Sequence, residues 1–348
     1  MRNWRDTRAG RAWLAYRLRW KRRDLIRRGI WSQRRLTPVA DRTAQIARGD
    51  ILAFVCLRNE APRLNEFLAH YRGLGVGHFL IVDNASTDGT AEFLTAQPDV
   101  SLWHTGDSYR ASRFGMDWMN GLLFRHGRGH WCLTVDADEL LIYDDCKAIS
   151  LKKLSEQLES LGKTAMGALM LDLYPRGPLG TADAPESAPS TARLPWFDAG
   201  PYRCRVNPRD RTRRVQGGAR ERVFFRDNPD LSPTLNKIPF VKWRIGHAYV
   251  NSTHTLYPPR LNDEYSFSKA DIWSGVLLHT KFLPSVLFAA TEDINRRQHF
   301  ARPDDYRPYY QGVLARPHMW SAGAVRYNGA DDLLHCGLMV APRRAEAV

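Results

Sequence analysis

From Ile51 onward the chain alternates short apolar runs with segments of helical period, and several of the runs end in a polar or acidic cluster. That rhythm restricts the fold more than any other feature of the sequence. The runs are Ile51 to Leu57, His78 to Val82, Val100 to Trp103, His130 to Val135 and Ala165 to Leu173. Their length and near-continuous apolar character fit strands buried on both faces. Between them, Pro62 to Leu74 carries Leu64, Phe67, Leu68, Tyr71 and Leu74 at helical spacing, with Pro62 suited to a first turn. Ala91 to Ala96, Ser112 to His126 and the segment marked by Leu151, Leu154, Leu158 and Leu161 also read as helices. The economical arrangement is an α/β fold in which helices flank a mostly parallel, Rossmann-like sheet of six or seven strands. Pro175 to Pro201, rich in Pro, Gly, Ala and Ser, reads as either a mobile loop over a site or an insertion. Pro284 to Phe300 predicts one more helix through Val286, Leu287, Ala290 and Ile294.

Ligands of parallel α/β sheets gather at the carboxyl ends of the strands, so the residues that follow each run are the first candidates for chemistry. Three clusters stand there: Arg58-Asn59-Glu60, Asp83-Asn84 and Asp136-Ala137-Asp138-Glu139. In the last, alternate carboxylates can lean to one side and share a hard divalent cation, which also bridges phosphate oxygens. Such a site suits a diphosphate leaving group. The same carboxylates can equally cap a helix or form salt bridges, and the short motif alone does not decide between the two.

Composition narrows the setting. With 43% hydrophobic and 25% charged residues among 348, the chain has the balance of a soluble globular protein. Its five cysteines show no CxxC pair, which fits a reduced, cytoplasmic environment. No apolar stretch approaches the roughly 18 to 20 residues of a spanning helix, and the N-terminus lacks a secretory pattern. The net charge of +14 is concentrated in Met1 to Arg35, where 13 Lys/Arg oppose only Asp6 and Asp24. Trp4, Trp13, Trp20 and Trp31 interleave with those arginines. Residues 1–35 therefore read as an interfacial helix on an anionic membrane surface, peripheral at its inner face, as an arm docked on its own protein or disordered, or, least favoured, as a nucleic-acid contact. No nucleic-acid partner is expected. The expected organisation is a basic extension over 1–50 and one main domain over 51–340, in two halves, 51–173 and 174–340.

Three segments carry a resemblance: VCLRNE, FLAHYRGLGVGHFLIVDNASTDGT and WCLTVDADELL, over Ile51 to Ile142. In order, spacing and hydrophobic context they resemble the glycosyltransferase family 2-like group. A weaker likeness continues through Gly217-Gly218-Ala219-Arg220 and Leu277-Leu278-His279-Thr280-Lys281-Phe282. The resemblance implies a GT-A fold, a nucleotide-diphosphate sugar donor, commonly a UDP-sugar, a Mn²⁺ or Mg²⁺ cofactor, and inversion. It implies that Asn59 and Glu60 contact the nucleotide and that Asp83 hydrogen-bonds its base or ribose. Asp136 would face the ribose or the metal, Asp138 would bind the metal directly, and Glu139 would support them. His279 matches a late metal-binding histidine, with His254 as its rival, while Asp88 is read as a helix cap. Arg58 and Arg220 can stabilise charge on the departing phosphate. For the base that takes the acceptor's proton, Glu221 comes first and Asp271 second. The acceptor expected is a glycan or a lipid-linked sugar. Two rival readings are a metal-dependent nucleotidyltransferase and a non-catalytic protein binding polyanions or membrane surfaces.

Overall fold

The computed structural model describes residues 8–250, 252–265, 273–296 and 303–341. Among these, nine strands form one sheet: β1 Thr37–Ala40, β2 Ile51–Leu57, β3 Val76–Asp83, β4 Val100–His104, β5 Trp131–Thr134, β6 Glu139–Ile142, β7 Ala165–Asp172, β8 Asn236–Lys242 and β9 Ser274–His279. Their order is β1-β4-β3-β2-β5-β8-β7-β9-β6. β2, β3, β4, β5, β7 and β9 run in one direction, whereas β1, β8 and β6 run against their neighbours. The fold is therefore α/β with a mostly parallel, Rossmann-like central sheet. It holds more strands than the six or seven expected from the sequence. The additional ones are antiparallel and short or polar: β1 lies in the basic stretch, β6 directly follows the acidic turn, and β8 contains two lysines and a proline.

The period of two along the strands distributes side chains to two layers. In β2, Ile51, Ala53, Val55 and Leu57 join one core with β3 residues Phe79 and Ile81. Leu52 and Phe54 join the opposite core with Leu80 and Val82. The helices that matter here are α1 Arg8–Ser32, α2 Ala61–Gly73, α3 Thr90–Thr95, α4 Met116–His126, α5 Leu151–Ser160, α6 Gly218–Phe224 and α7 Val286–Arg296. Leu64, Phe67 and Leu68 of α2, Leu94 of α3 and Leu151, Leu154 and Leu158 of α5 cover the first core. Met116, Trp118, Met119, Leu122 and Leu123 of α4 cover the second.

α4 begins four residues later than its hydrophobic pattern predicts, because Arg113, Phe114 and Gly115 all adopt positive φ. Those dihedrals cannot continue a right-handed helix. Pro175 to Pro201 is a packed insertion: its strand Trp196–Asp198 pairs with Ala324–Arg326, and Leu179, Leu194 and Phe197 are fully buried. The expected helix over Pro284 to Phe300 is present as α7, and its last four residues lie outside the described ones.

α1 is joined to the globular body along one face. Leu25 is buried beside Ala248, Val250 and Tyr257, with Leu18 and Ile26 packed against them. Arg28 donates to Asp117 on α4 through Nε at 3.1 Å and Nη2 at 2.8 Å. Ser32 Oγ donates to the Asp117 carbonyl at 2.8 Å, and Gln33 Nε2 donates to the Trp118 carbonyl at 3.2 Å. Gly29 and Gly121 allow this approach: a Cβ at Gly121 would run into the Gly29 carbonyl and the Gln33 amide. No helix among the described residues is long and apolar enough to cross a membrane.

Gly121→Val should therefore push α1 away from α4, at a cost of about 1–3 kcal/mol typical of overpacking. Limited trypsin digestion provides the readout, since α1 is rich in arginine. Rapid cleavage within α1 is expected in the variant and slow cleavage in the wild type; equal rates would mean that the close contact does not hold the helix.

Candidate functional site

Because β2, β3, β5, β7 and β9 run in the same direction, Leu57, Asp83, Thr134, Asp172 and His279 all end at one edge of the sheet. β6 and β8 run the other way, so their first residues, Glu139 and Asn236-Lys237, come to that same edge. Register then brings together residues far apart in sequence. His279 lies opposite Asp172 on one side and Glu139 on the other.

The result is a row of buried ionisable groups. Arg220, from α6, donates to Asp172 through Nε at 2.9 Å and Nη2 at 2.6 Å. His279 donates from Nδ1 to Asp172 Oδ1 at 2.7 Å, and its Nε2 lies 3.1 Å from Asp138 Oδ2. With both ring nitrogens facing carboxylates, the imidazole is suited to carry its charge. Burial works against that charge, but Asp138 and Asp172 outweigh it and raise the His279 pKa. Burial also opposes ionisation of Asp172, yet Arg220 and His279 bring it down to about 2. Asp138 follows the same balance: desolvation is overcome by His279, Arg63 and Lys281, and its pKa falls well below the usual carboxylate range. The backbone of this turn is fixed as well, because Thr280 donates to the Asp138 carbonyl through N at 2.8 Å and Oγ1 at 3.0 Å.

Beside this row, the buried Lys237 ammonium donates to Asp136 Oδ2 at 2.6 Å and Glu139 Oε1 at 2.5 Å. Burial disfavours its charge, but the two carboxylates raise its pKa. Glu139 is fully buried, and desolvation together with Asp136 and Asp138 pushes it up to about 7 despite Lys237. Its Oε2 also accepts from the Asp136 backbone N at 3.2 Å. Asp136 itself is half exposed, at 51%, while Asp138 is 20% exposed, so the two alternate carboxylates are the ones reachable from outside.

A second cluster adjoins at β2 and β3. Asp83 is buried, accepts from the Ser86 backbone N at 3.2 Å and from Ser86 Oγ, and faces His104 Nδ1 at 3.2 Å. It thereby shapes the loop that follows β3. Asn59 Oδ1 accepts from the Thr87 backbone N at 2.8 Å, and Asn59 N donates to Ser86 Oγ at 2.9 Å, which ties the two strand ends together. Arg58 donates through Nε to Glu292 of α7 at 2.9 Å and through Nη1 to the Asn84 carbonyl at 2.8 Å. Glu60 pairs with Arg63 at 2.6 Å, and burial, opposed by Arg63, pushes it up to about 7. Asp88 accepts from the Ala61 and Thr90 backbone N at 3.1 Å each, so it braces the starts of α2 and α3 in the manner of a cap.

Some candidates are not brought into this edge. Glu221 is held by Arg203 and by Ser232, whose Oγ donates to it at 2.6 Å, so it braces a peripheral ribbon. Asp271 lies outside the described residues. His254 does reach this edge, partly buried, but its Nδ1 is held against the Asn236 carbonyl at 2.6 Å, and desolvation with nearby Lys237 brings it down to about 4. Arg220 occupies the edge, but both arms of its guanidinium are spent on Asp172. Sequence reading missed Asp172, Lys237 and Glu292. Asp172 had a usable signal, since it closes an apolar strand just as Asp83 does.

The fold and the site define an α/β protein with an acidic cluster at the carboxyl edge of a mostly parallel sheet. No family model matches this chain, and no curated protein does. Among solved structures it is similar to the mannosyltransferase PcManGT from Pyrobaculum calidifontis in complex with GDP-Man and Mn²⁺, at 20% identity and a TM-score of 0.27. That likeness covers 47% of this chain and 45% of the mannosyltransferase, so the chain spans under half of that protein's length. It is also similar to a 4-diphosphocytidyl-2C-methyl-D-erythritol synthase, at 18% identity and a TM-score of 0.23, over 41% of this chain and 67% of the synthase.

Asp172→Asn should strand Arg220 with half a partner in a desolvated site, which typically costs about 3–5 kcal/mol. The linkage sign also follows. A carboxylate depressed to about 2 stabilises the fold above its unfolded value and loses that contribution as pH falls through the folded one. Thermal melts from pH 6 to pH 2 should show a lower melting temperature in the variant at pH 6 and a flatter acid limb. Parallel curves would remove Asp172 from the account of acid stability.

Proposed function

We propose that this protein is a glycosyltransferase that moves a sugar from a nucleoside-diphosphate donor, a UDP-sugar being the first choice, to a glycan or lipid-linked acceptor. The observation that carries the reading is the meeting of Asp136, Asp138 and His279 at one sheet edge, beside the Asn59, Glu60 and Asp83 loops. Among the described residues no three His, Cys, Asp or Glu side chains form a ready cation cage. The donor chemistry nonetheless fits Mn²⁺ or Mg²⁺. His279 Nε2 and Asp138 Oδ2 face each other at 3.1 Å, close to the roughly 3 Å between adjacent ligands of an octahedral ion with bonds of about 2.1 Å. Asp138 and His279 would hold the ion, with Asp136 reaching it directly or through water. When bound, the ion would stabilise the charge that develops on a departing diphosphate.

The chain's own groups prepare that site. Asp172 fixes the His279 ring so that Nε2 points at Asp138, as a carboxylate behind a ligating histidine does. Lys237 bridges Asp136 and Glu139 and offsets the repulsion that would otherwise push these carboxylates apart. Asp83 and Asn59 order residues 84–88, where the nucleoside would lie. A nucleotidyltransferase would use the same carboxylates but release pyrophosphate, so the released product separates the readings. A lipid-linked acceptor would bring the enzyme to a membrane surface, and the basic helix α1 is its candidate contact.

Asp138→Ala is expected to lower transfer by roughly 100-fold or more while the protein stays folded. Liberation of a nucleoside diphosphate from donor sugars with Mn²⁺ is the measurement; near-normal turnover in the variant would reject the metal assignment, and pyrophosphate as product would favour the nucleotidyltransferase. Asp83→Ala should instead raise the donor KM more than it lowers kcat, because a disordered nucleotide loop weakens ground and transition states alike. A drop in kcat at unchanged KM would give Asp83 a part in the chemistry.

A further inference from the structure

α1 presents two faces, and the protein uses only one of them. Leu14, Leu18, Arg22, Leu25, Gly29 and Ser32 recur every three or four residues and turn toward the body. Trp13, Tyr16, Trp20, Arg23, Arg27, Trp31 and Arg34 recur with the same period on the opposite side, and every one of them is exposed. Trp13, Tyr16, Trp20 and Trp31 show 46%, 56%, 51% and 62% of their surface to solvent. Arginines lie over the indoles: Arg17 is 4.6 Å from the Trp13 ring, Arg23 5.3 Å from Trp20, and Arg34 4.6 Å from Trp31. The docked helix is therefore not a solvated strut, which would carry polar residues on its outer face.

We infer that the outward face of α1 is a docking surface for an anionic lipid bilayer, lying in the plane of the headgroups. Charge complementarity selects this occupant. Between Arg8 and Arg35 the sequence holds eleven Lys/Arg and a single acid, Asp24; Arg27 pairs with Asp24 at 2.8 Å, and Arg28 and Arg35 pair with Asp117 and Asp107 of the body, which leaves eight basic residues outside these ion pairs. Indole and phenol rings favour the boundary between water and acyl chains, and arginine stems extend along apolar surface while their heads reach phosphate. A second copy of this chain would have to bring two such arginine rows together, at a large electrostatic cost. Nucleic acid would account for the arginines but would leave the rings without purpose on a duplex. The body bonded through Leu25, Arg28 and Gln33 would be carried rigidly to the membrane, because the same helix holds both. The surface stands whether or not the transfer chemistry proposed above is correct.

The test uses the full chain, with vesicles of neutral phosphatidylcholine and vesicles containing one quarter phosphatidylglycerol. Cosedimentation of the wild type should be at least about tenfold stronger on the anionic vesicles and should weaken steeply between 0.05 and 0.5 M salt, as roughly 1 kcal/mol per basic residue is screened. The triple variant Trp13→Ser, Tyr16→Ser, Trp20→Ser should bind about tenfold more weakly at an unchanged melting temperature, since these side chains face outward. A second variant, Arg23→Gln, Arg27→Gln, Arg34→Gln, keeps every ring but removes three charges from the same face, two of them stacked over Trp20 and Trp31, and should lose about 10- to 100-fold. Equal binding by wild type and both variants would overturn the proposal. So would a concentration-dependent dimer that the triple variant dissolves, or binding to duplex DNA in the absence of any vesicle binding.

Discussion

The buried row Arg220, Asp172, His279 and Asp138 is the interaction on which the rest of the site depends. Two strands, a turn and a helix supply it: β7 ends in Asp172, β9 ends in His279, the turn between β5 and β6 presents Asp138, and α6 carries Arg220. Desolvating these charges is expensive, and the cost is offset only because each faces an opposite charge at hydrogen-bond distance. A row of this kind does little for stability that apolar side chains could not do better. What it provides is a fixed orientation of one imidazole and one accessible carboxylate, which is a requirement of binding and catalysis.

Reversed strands make the arrangement possible. A purely parallel sheet would bring only strand ends to this edge, whereas β6 and β8 bring strand beginnings there too. Lys237 arrives by that route and places one buried ammonium against Asp136 and Glu139. Without it, three carboxylates within four residues would repel one another in a poorly solvated turn. α7 adds a further constraint from the far end of the chain, since Glu292 pairs with Arg58 and accepts from Asn59 Nδ2 at 3.3 Å. The loops that follow β2 and β3 are thus tied to a helix that no local sequence argument would connect with them.

Much of the fold was legible because burial on both faces leaves a direct imprint: continuous apolar runs mark β2, β3, β4, β5 and β7, and the periodic leucines mark α2 and α5. Strand direction leaves no such imprint. Asn236–Lys242 therefore gave no sign that Lys237 would reach the acidic edge, and Glu221 gave no sign that Arg203 and Ser232 would hold it elsewhere. The start of α4 was misplaced because Arg113 and Phe114 adopt positive φ, which their residue types do not announce. For the basic N-terminal segment, the sequence offered a docked helix and an interfacial helix as alternatives. Residues 8–32 form a single helix whose inner face packs on the body and whose outer face is aromatic and cationic.

The central claim is that Asp138 and His279 together form half of a divalent-cation site that the nucleoside diphosphate completes. Isothermal titration calorimetry of UDP into the wild type, Asp138→Ala and His279→Ala proteins, each with Mn²⁺ and with EDTA, tests it without requiring an acceptor. The account predicts Mn²⁺-dependent binding by the wild type and at least about tenfold weaker binding by either variant, the typical lower bound for losing a group that supports a metal. Binding of equal strength in all three proteins, or binding indifferent to EDTA, would contradict it.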